Sequence, residues 1–317
     1  MPAAPLPRRA VDGVMLLDKP PGITSNAALQ TARRLLAARK AGHTGTLDPM
    51  ASGLLPLTFG EAAKFSQMLL NADKTYEAGI KLGIQTDTGD AEGKVLSAQS
   101  VAIDEALLRA VLARFTGEIE QTPPMYSALK RDGKPLYEYA RAGIEIERAP
   151  RRVTITELTL LAFQKDHFTL RIACSKGTYI RSLAIDIGAA LGCGAHLDAL
   201  RRTRIGDFDL SESVTLDAIE ATPPAQRDAL LAPADALLKG FPKLELESDS
   251  ARLILQGQPL CLPEQSEHAS SAIAMTNAGI QNPENCVRLY SPDGFLGLGH
   301  WKKDGRLWPK RLIKTAP

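Results

Sequence analysis

The chain has 317 residues, 44% of them hydrophobic and 23% charged, with a formal net charge of +2. These proportions exclude a disordered or fibrous polypeptide and fit a globular one with room for a large domain and a small one. So small a net charge does not by itself demand a nucleic-acid partner, and any such preference must lie in how the charge is distributed.

Residues 1–10 are rich in Pro and Ala and are expected to be loose. Val14–Leu17 reads as a short apolar strand, halted by Lys19-Pro20-Pro21-Gly22. A helix is expected next, with Ser25 as its N-cap and Ala28, Ala32, Leu35 and Leu36 on one face. Then comes Gly42-His43-Thr44-Gly45-Thr46-Leu47-Asp48-Pro49. Gly42 and Gly45 permit backbone angles that other residues avoid, and Pro49 pushes Asp48 out of the α region. An ordinary capped turn would share these letters. So much backbone control around one carboxylate nevertheless marks Asp48 as a candidate. A second helix over Glu61–Leu70 is expected to bury Phe65, Met68 and Leu69.

Thr75–Gly83 alternates, with Tyr76, Ala78, Ile80 and Leu82 facing one way. Residues 104–115 carry the most regular helical pattern. Asp104 can cap it, Leu107, Leu108, Val111, Leu112 and Phe115 form the apolar stripe, and Ile103 with Leu108 has the spacing of a staple. Val153–Phe163 and Phe168–Cys174 read as two strands, followed by a helix from Ile180 to Leu191. Tyr179 and Arg181 then stand at a strand-to-helix junction. A cation is unfavourable at a helix N-terminus, so Arg181 implies a compensating carboxylate. Strands and helices mix without a regular βαβ repeat, which predicts an α+β fold with a mixed, largely antiparallel central sheet and flanking helices. Residues 221–239 read as a subdomain or linker. From Leu244 short strand-like runs alternate with turns such as Asp293-Gly294 and Asp304-Gly305, as in a small β-barrel or sandwich. Residues 264–285 read as a polar loop.

Several chemistries find no support. Asp87-Thr88-Gly89 occurs once, whereas an aspartic protease needs two such aspartates; a turn after a strand is the plainer reading. There is no GxxxxGK[ST] and no GxSxG. The scattered histidines and Cys174, Cys193, Cys261 and Cys286 offer no zinc-ligand spacing, so no zinc site can be assembled from them. Cysteines without CxxC pairs suit a reducing compartment. Without an apolar h-region or an apolar run near 18 residues, a cytoplasmic protein with no membrane partner is expected. Basic residues cluster at Arg33–Lys40, at Arg148, Arg151 and Arg152, at Arg201, Arg202 and Arg204, and from Lys302 to Lys314, either as solvated faces or as a phosphate-backbone footprint. Polar and aromatic residues at element ends remain as site candidates: Lys19, His43, Asp48, Tyr76, Tyr179 and Arg181. Taken singly, Tyr76 could be a core aromatic and His43 a turn cap.

Together these residues are specific. Gly42–Leu55 resembles the catalytic motif of the TruB-type tRNA pseudouridine synthases. Leu17–Pro20, Lys74–Tyr76, Thr86–Asp90, Pro123–Ala128, Gly177–Leu183 and Leu200–Thr203 resemble further blocks of that family in the same order, over about residues 11–206. Val287–Ile313 is similar to the closing strands of a PUA-like RNA-binding domain, from whose compact form the 264–285 loop departs. The resemblance implies a pseudouridine synthase fold over residues 11–243 and a PUA-like β-barrel over 244–317. It also implies isomerisation of uridine to pseudouridine at position 55 in the T-loop of tRNA, a reaction that needs no metal or redox cofactor. A stand-alone monomer without a protein partner is expected. By the same carry-over Asp48 is the catalytic carboxylate and Arg181 pairs with it. Tyr76 stacks on the base and is a candidate for removing the carbon-5 proton. His43, Tyr179, Leu200 and Lys19 line the nucleotide pocket.

The residue types suit that chemistry. A carboxylate can attack carbon 1′ of the ribose or act as base at carbon 2′, and either role needs Asp48 ionised. Burial raises its pKa and a nearby Arg181 lowers it. The target base must be flipped out of folded RNA, and an aromatic ring can hold it at about 1–3 kcal/mol per stacked base. Tyrosine ionises near pH ~10, so it is a weak base unless its environment helps. A tRNA-binding or tRNA-folding module without catalysis and a guide-RNA-dependent synthase are the alternatives.

Overall fold

The computed structural model describes residues 7–261 and 285–314. In chain order its strands are β1 (Gly13–Lys19), β2 (Ala41–His43), β3 (Ser52–Phe59), β4 (Lys74–Leu82), β5 (Ile84–Thr86) and β6 (Val95–Ala98). They continue with β7 (Gly117–Gln121), β8 (Lys130–Arg131), β9 (Lys134–Pro135), β10 (Arg151–Gln164), β11 (His167–Cys174) and β12 (Ala195–Ile205). The last six are β13 (Phe208–Asp209), β14 (Val214–Thr215), β15 (Lys243–Glu245), β16 (Cys286–Ser291), β17 (Gly294–Trp301) and β18 (Leu307–Leu312). The α-helices are α1 (Ser25–Leu35), α2 (Ser66–Leu70), α3 (Glu105–Leu112), α4 (Leu136–Arg141), α5 (Ile180–Ala190), α6 (Leu216–Ala221) and α7 (Ser248–Leu255).

A 10-stranded sheet forms the body, in the order β14-β1-β3-β12-β4-β11-β10-β7, with β2 on β3 and β13 on β12. The pairs β1–β14 and β3–β12 are parallel and the others antiparallel. The expected α+β class with a mixed, largely antiparallel sheet is therefore the one formed. In β4 the alternation buries Tyr76, Ala78, Ile80 and Leu82 on the core side. That face joins Leu170 and Ile172 of β11, Leu197 and Leu200 of β12, and Leu183 and Ile187 of α5 in the main core. The C-terminal β unit is a second sheet, β15-β16-β17-β18, with α7 packed on it.

Several expectations are corrected. Thr24, not Ser25, caps α1, accepting from Ala27 N at 3.0 Å. Ser25 is buried, and its hydroxyl binds both Leu47 N and Leu47 O at 2.8 Å. Tertiary contact has claimed the side chain that local pattern assigns to a cap, and this ties α1 to the Asp48 loop. Asp104 does cap α3, but Leu107 is 46% exposed, because the stripe needs only Leu108, Val111 and Leu112. The helix expected over 61–70 divides into a 3-10 turn, Gly60–Phe65, and the short α2, leaving Met68 only partly buried. Residues 221–239 are not a free linker: Ala232 exchanges backbone hydrogen bonds with Val14, and the buried Arg227 donates to Leu35 O at 2.7 Å. Almost all of the 264–285 loop lies outside the described residues, as do residues 1–6 of the N-terminal stretch.

Candidate active site

The loop from Gly42 to Pro49 leaves β2 and is held from several sides. Gly45 adopts a φ of +75°, a left-handed angle that favours glycine. Gly42 does not use that freedom; it lies within β2 opposite Thr58. Thr44 N donates to Pro56 O at 3.0 Å, Gly22 N to Pro49 O at 2.8 Å and Ala51 N to Asp48 O at 3.1 Å. Lys19 is fully buried at the end of β1, and its ammonium donates to Ile23 O at 2.7 Å, Pro20 O at 2.8 Å and Pro49 O at 3.4 Å. It therefore pins the loop end at Pro49 to the turn that follows β1. Burial lowers the Lys19 pKa to about 8, against an opposing pull from Asp48.

Asp48 projects from this loop with its side chain 37% exposed, and one carboxylate oxygen lies 3.0 Å from Arg181 Nη2. Arg181 itself is 5% exposed. Its guanidinium donates to Thr88 O at 3.1 Å and to Tyr126 O at 2.6 Å, and lies 3.5 Å from Asp90. The Asp90 carboxylate is fixed in turn by Thr88 Oγ1 at 2.6 Å and Glu92 N at 3.1 Å. One cation thus serves two carboxylates, and only that of Asp48 is open to solvent to any extent. Burial raises the Asp48 pKa above the ordinary carboxylate value; Arg181 pulls against the rise and Asp90 adds to it. A carboxylate held beside its cation but open on one face can meet an electron-poor carbon or take a proton.

Tyr76 is buried in β4, opposite Arg202 of β12 and Ile172 of β11. Burial raises its phenol pKa and the Asp48 charge adds to this, while the Arg202 charge opposes the rise. Leu200 is buried on β12, two residues before Arg202. His43 ends β2, and its buried Nδ1 finds no hydrogen-bond partner among the described residues. Burial lowers its pKa and Arg202 lowers it further, so the imidazole is neutral at physiological pH. Tyr179 precedes α5 and is bracketed by Gln121, which accepts from Tyr179 N at 2.7 Å and donates to Tyr179 O at 3.0 Å. The Arg151 guanidinium lies over its ring, 5.1 Å from the centroid. Asp48, Arg181 and Lys19 interact directly or through charge, and Tyr76 and His43 join them through Asp48 and Arg202. Tyr179 and Leu200 take their places on neighbouring elements, α5 and β12, without a hydrogen bond to Asp48 among the described residues.

Two residues escape sequence reasoning. The turn reading of Asp87-Thr88-Gly89 passes over Asp90, yet Asp90 is buried beside Arg181. Charge clustering places Arg202 in a basic surface patch, yet it is among the largest fully buried side chains. A signal is available in strand phase: Arg202 stands two residues after Leu200, on the inward face of an alternating strand.

The ten-stranded sheet and its helices have the pseudouridine synthase fold. The chain superposes on one from "Structure of H/ACA RNP bound to a substrate RNA containing 2'-deoxyuridine" with a TM-score of 0.66 at 24% identity, over 96% of this chain and 85% of that one. Residues 33–180 match the TruB family pseudouridylate synthase N-terminal domain, 181–239 the tRNA pseudouridylate synthase B C-terminal domain, and 242–313 the Pseudouridine synthase II TruB C-terminal domain. The tRNA pseudouridine synthase B of Azoarcus sp. (strain BH72) is 64% identical over 310 residues, 98% of this chain and 97% of the relative. That of Aromatoleum aromaticum (strain DSM 19018 / LMG 30748 / EbN1) is 60% identical over 309 residues, 98% and 95% of the two chains. The chain belongs to the TruB family of pseudouridylate synthases.

Proposed function

We propose that this chain isomerises uridine to pseudouridine in tRNA, at position 55 of the T-loop, with Asp48 as the catalytic carboxylate. The observation that carries the reading is the Asp48–Arg181 pair: a part-exposed carboxylate 3.0 Å from a guanidinium that also donates to Thr88 O and Tyr126 O. Relatives at 60–64% identity named tRNA pseudouridine synthase B support the substrate class. Asp48 acts at the ribose, as nucleophile at carbon 1′ or as base at carbon 2′. The detached uracil turns over and rejoins through carbon 5, which then loses its proton. The target nucleotide is flipped out of the T-loop and its base lies against Tyr76, with His43, Tyr179, Leu200 and Lys19 around the pocket. Residues 11–243 carry the chemistry and 244–317 add an RNA grip. The chain works as a cytoplasmic monomer without cofactor.

The deciding assay is tritium release from carbon-5-labelled uridine in tRNA. Release by the purified chain separates an enzyme from a tRNA-binding module. The same release from a bare T-stem-loop separates a stand-alone synthase from a guide-dependent one, the relevant contrast because the superposed chain comes from an H/ACA RNP.

Because burial raises the Tyr76 pKa, a free phenolate base is disfavoured, and the hydroxyl is read as a positioned donor beside a stacking ring. Tyr76→Phe is expected to retain tRNA affinity and to lose about 10²-fold in single-turnover rate; a phenylalanine variant at the parental rate would leave stacking as the only role. On the second sheet, the Lys302 ammonium lies 3.8 Å from the centroid of Trp308. Replacing Lys302 and Lys303 by Ala should weaken tRNA binding and reduce the slope of log K against log salt by about 1 for each phosphate that is no longer neutralised. An unchanged slope in a filter-binding titration would place the RNA elsewhere.

A further inference from the structure

Arg202 is the part of the site with no evident task. It is 1% exposed, and among the described residues no carboxylate forms a salt bridge with it. A buried cation served only by neutral groups is costly, and an apolar residue of similar volume would serve the fold as well or better. The chain nevertheless makes room for it. Its Nε donates to Leu54 O at 2.8 Å and its Nη2 to Gly45 O at 2.9 Å, and its charge acts on the Tyr76 phenol across the strand pair. In strand register it stands opposite Tyr76 on one side and Gly53 on the other. Between Arg202 and Arg204 the register against β4 shifts by one residue, and such irregularities re-aim side chains. Gly45 leaves space for the guanidinium: a Cβ there would lie 3.3 Å from Arg202 Nη1. Gly53, where φ is +97°, lets the backbones of β3 and β12 approach, since a Cβ would meet the Arg202 carbonyl oxygen at 2.3 Å.

We infer that Arg202 is a positioning residue for the isomerisation: facing Tyr76 across β12 and β4, it ties the Gly45 end of the Asp48 loop to β3 and keeps loop and phenol in one register. The positive charge of Arg202 acts on the Tyr76 phenol and repels the proton end of its O–H dipole, so the phenol proton is directed away from Arg202. This rests on the reading of Asp48 and Tyr76 given above. Lysine cannot replace the fork, because the Leu54 and Gly45 carbonyls take two different nitrogens of one planar guanidinium.

The test is a double-mutant cycle in the full chain, with single-turnover tritium release from a labelled T-stem-loop, the dissociation constant and the melting temperature measured for each variant. Arg202→Lys is expected to lower the rate about 10- to 100-fold while affinity stays within about threefold. On a Tyr76→Phe background the same change should cost at least about threefold less, because the hydroxyl that Arg202 positions is gone while its hold on the loop remains. Additive losses would overturn the inference, as would a Tyr76→Phe variant with the parental rate. If Arg202→Lys does not fold, Arg202→Gln takes its place in the cycle; failure of both to fold would make the residue structural only and overturn the inference. Asp48→Asn in the same assay separates the two levels. An active Asp48→Asn removes the underlying reading, whereas an inactive one with an additive cycle removes only the role of Arg202.

Discussion

Asp48→Asn is expected to lower pseudouridine formation by at least about 10³-fold while tRNA binds within about threefold of the parental affinity. The amide keeps the shape of the side chain and a hydrogen-bond acceptor toward Arg181, so the loop pinned by Lys19, Ser25 and Gly22 should stay in place. What disappears is the charge. The pH dependence follows from the same group. Burial raises the Asp48 pKa above 3.8, so the acid limb of the rate should have its midpoint above that value, with activity rising as the carboxylate ionises. The stability sign is opposite. A raised folded-state pKa favours the fold fully below the unfolded value, and that contribution is lost as pH rises through the folded one. At neutral pH the ionised Asp48 is therefore a cost to the fold, and Asp48→Asn should melt no lower than the parent. Turnover near the parental rate, or a lowered melting temperature accounting for the loss, would remove Asp48 from its role.

The second large effect is expected at Arg181. Arg181→Met should leave Asp48 and the buried Asp90 facing each other with no cation between them, and free Thr88 O and Tyr126 O. Removing one partner of a buried charge cluster costs about 3–5 kcal/mol, so denaturant unfolding should shift markedly and activity should fall about 10²-fold or more. The companion variant Asp90→Asn removes the charge that adds to the rise of Asp48. It should therefore move the acid limb of the rate to lower pH. A limb that stays in place would show that Asp90 does not act through Asp48.

How much of this is legible in sequence depends on what each residue answers to. Strands such as β4 and β11 obey alternation, and Asp104 caps α3, because short-range chemistry decides them. Asp48, Tyr76 and Arg181 are legible as a set through their motifs, and Arg181 also through its awkward place at the start of α5. Ser25 is misread as a cap because its hydroxyl answers to Leu47, 22 residues away. Asp90 and Arg202 escape because their meaning lies wholly in partners across the fold: Arg181 for one, and Gly45, Leu54 and Tyr76 for the other. Gly42 shows the reverse error, in which a permissive residue is credited with an angle it does not use.

Phe65 of the segment after β3 meets Phe295 of β17 with ring centroids 5.7 Å apart, and Leu54, Phe208 and Leu298 belong to the same apolar cluster. Lys64 Nζ donates to Leu312 O at 2.8 Å and Arg311 returns a bond to Lys64 O at 2.6 Å. The tail sheet is thus a shingle on the ten-stranded body rather than an appendage. Trimming it away would wet the underside of β3, the strand that begins where the Asp48 loop closes, so an amputated chain would suffer in its integrity.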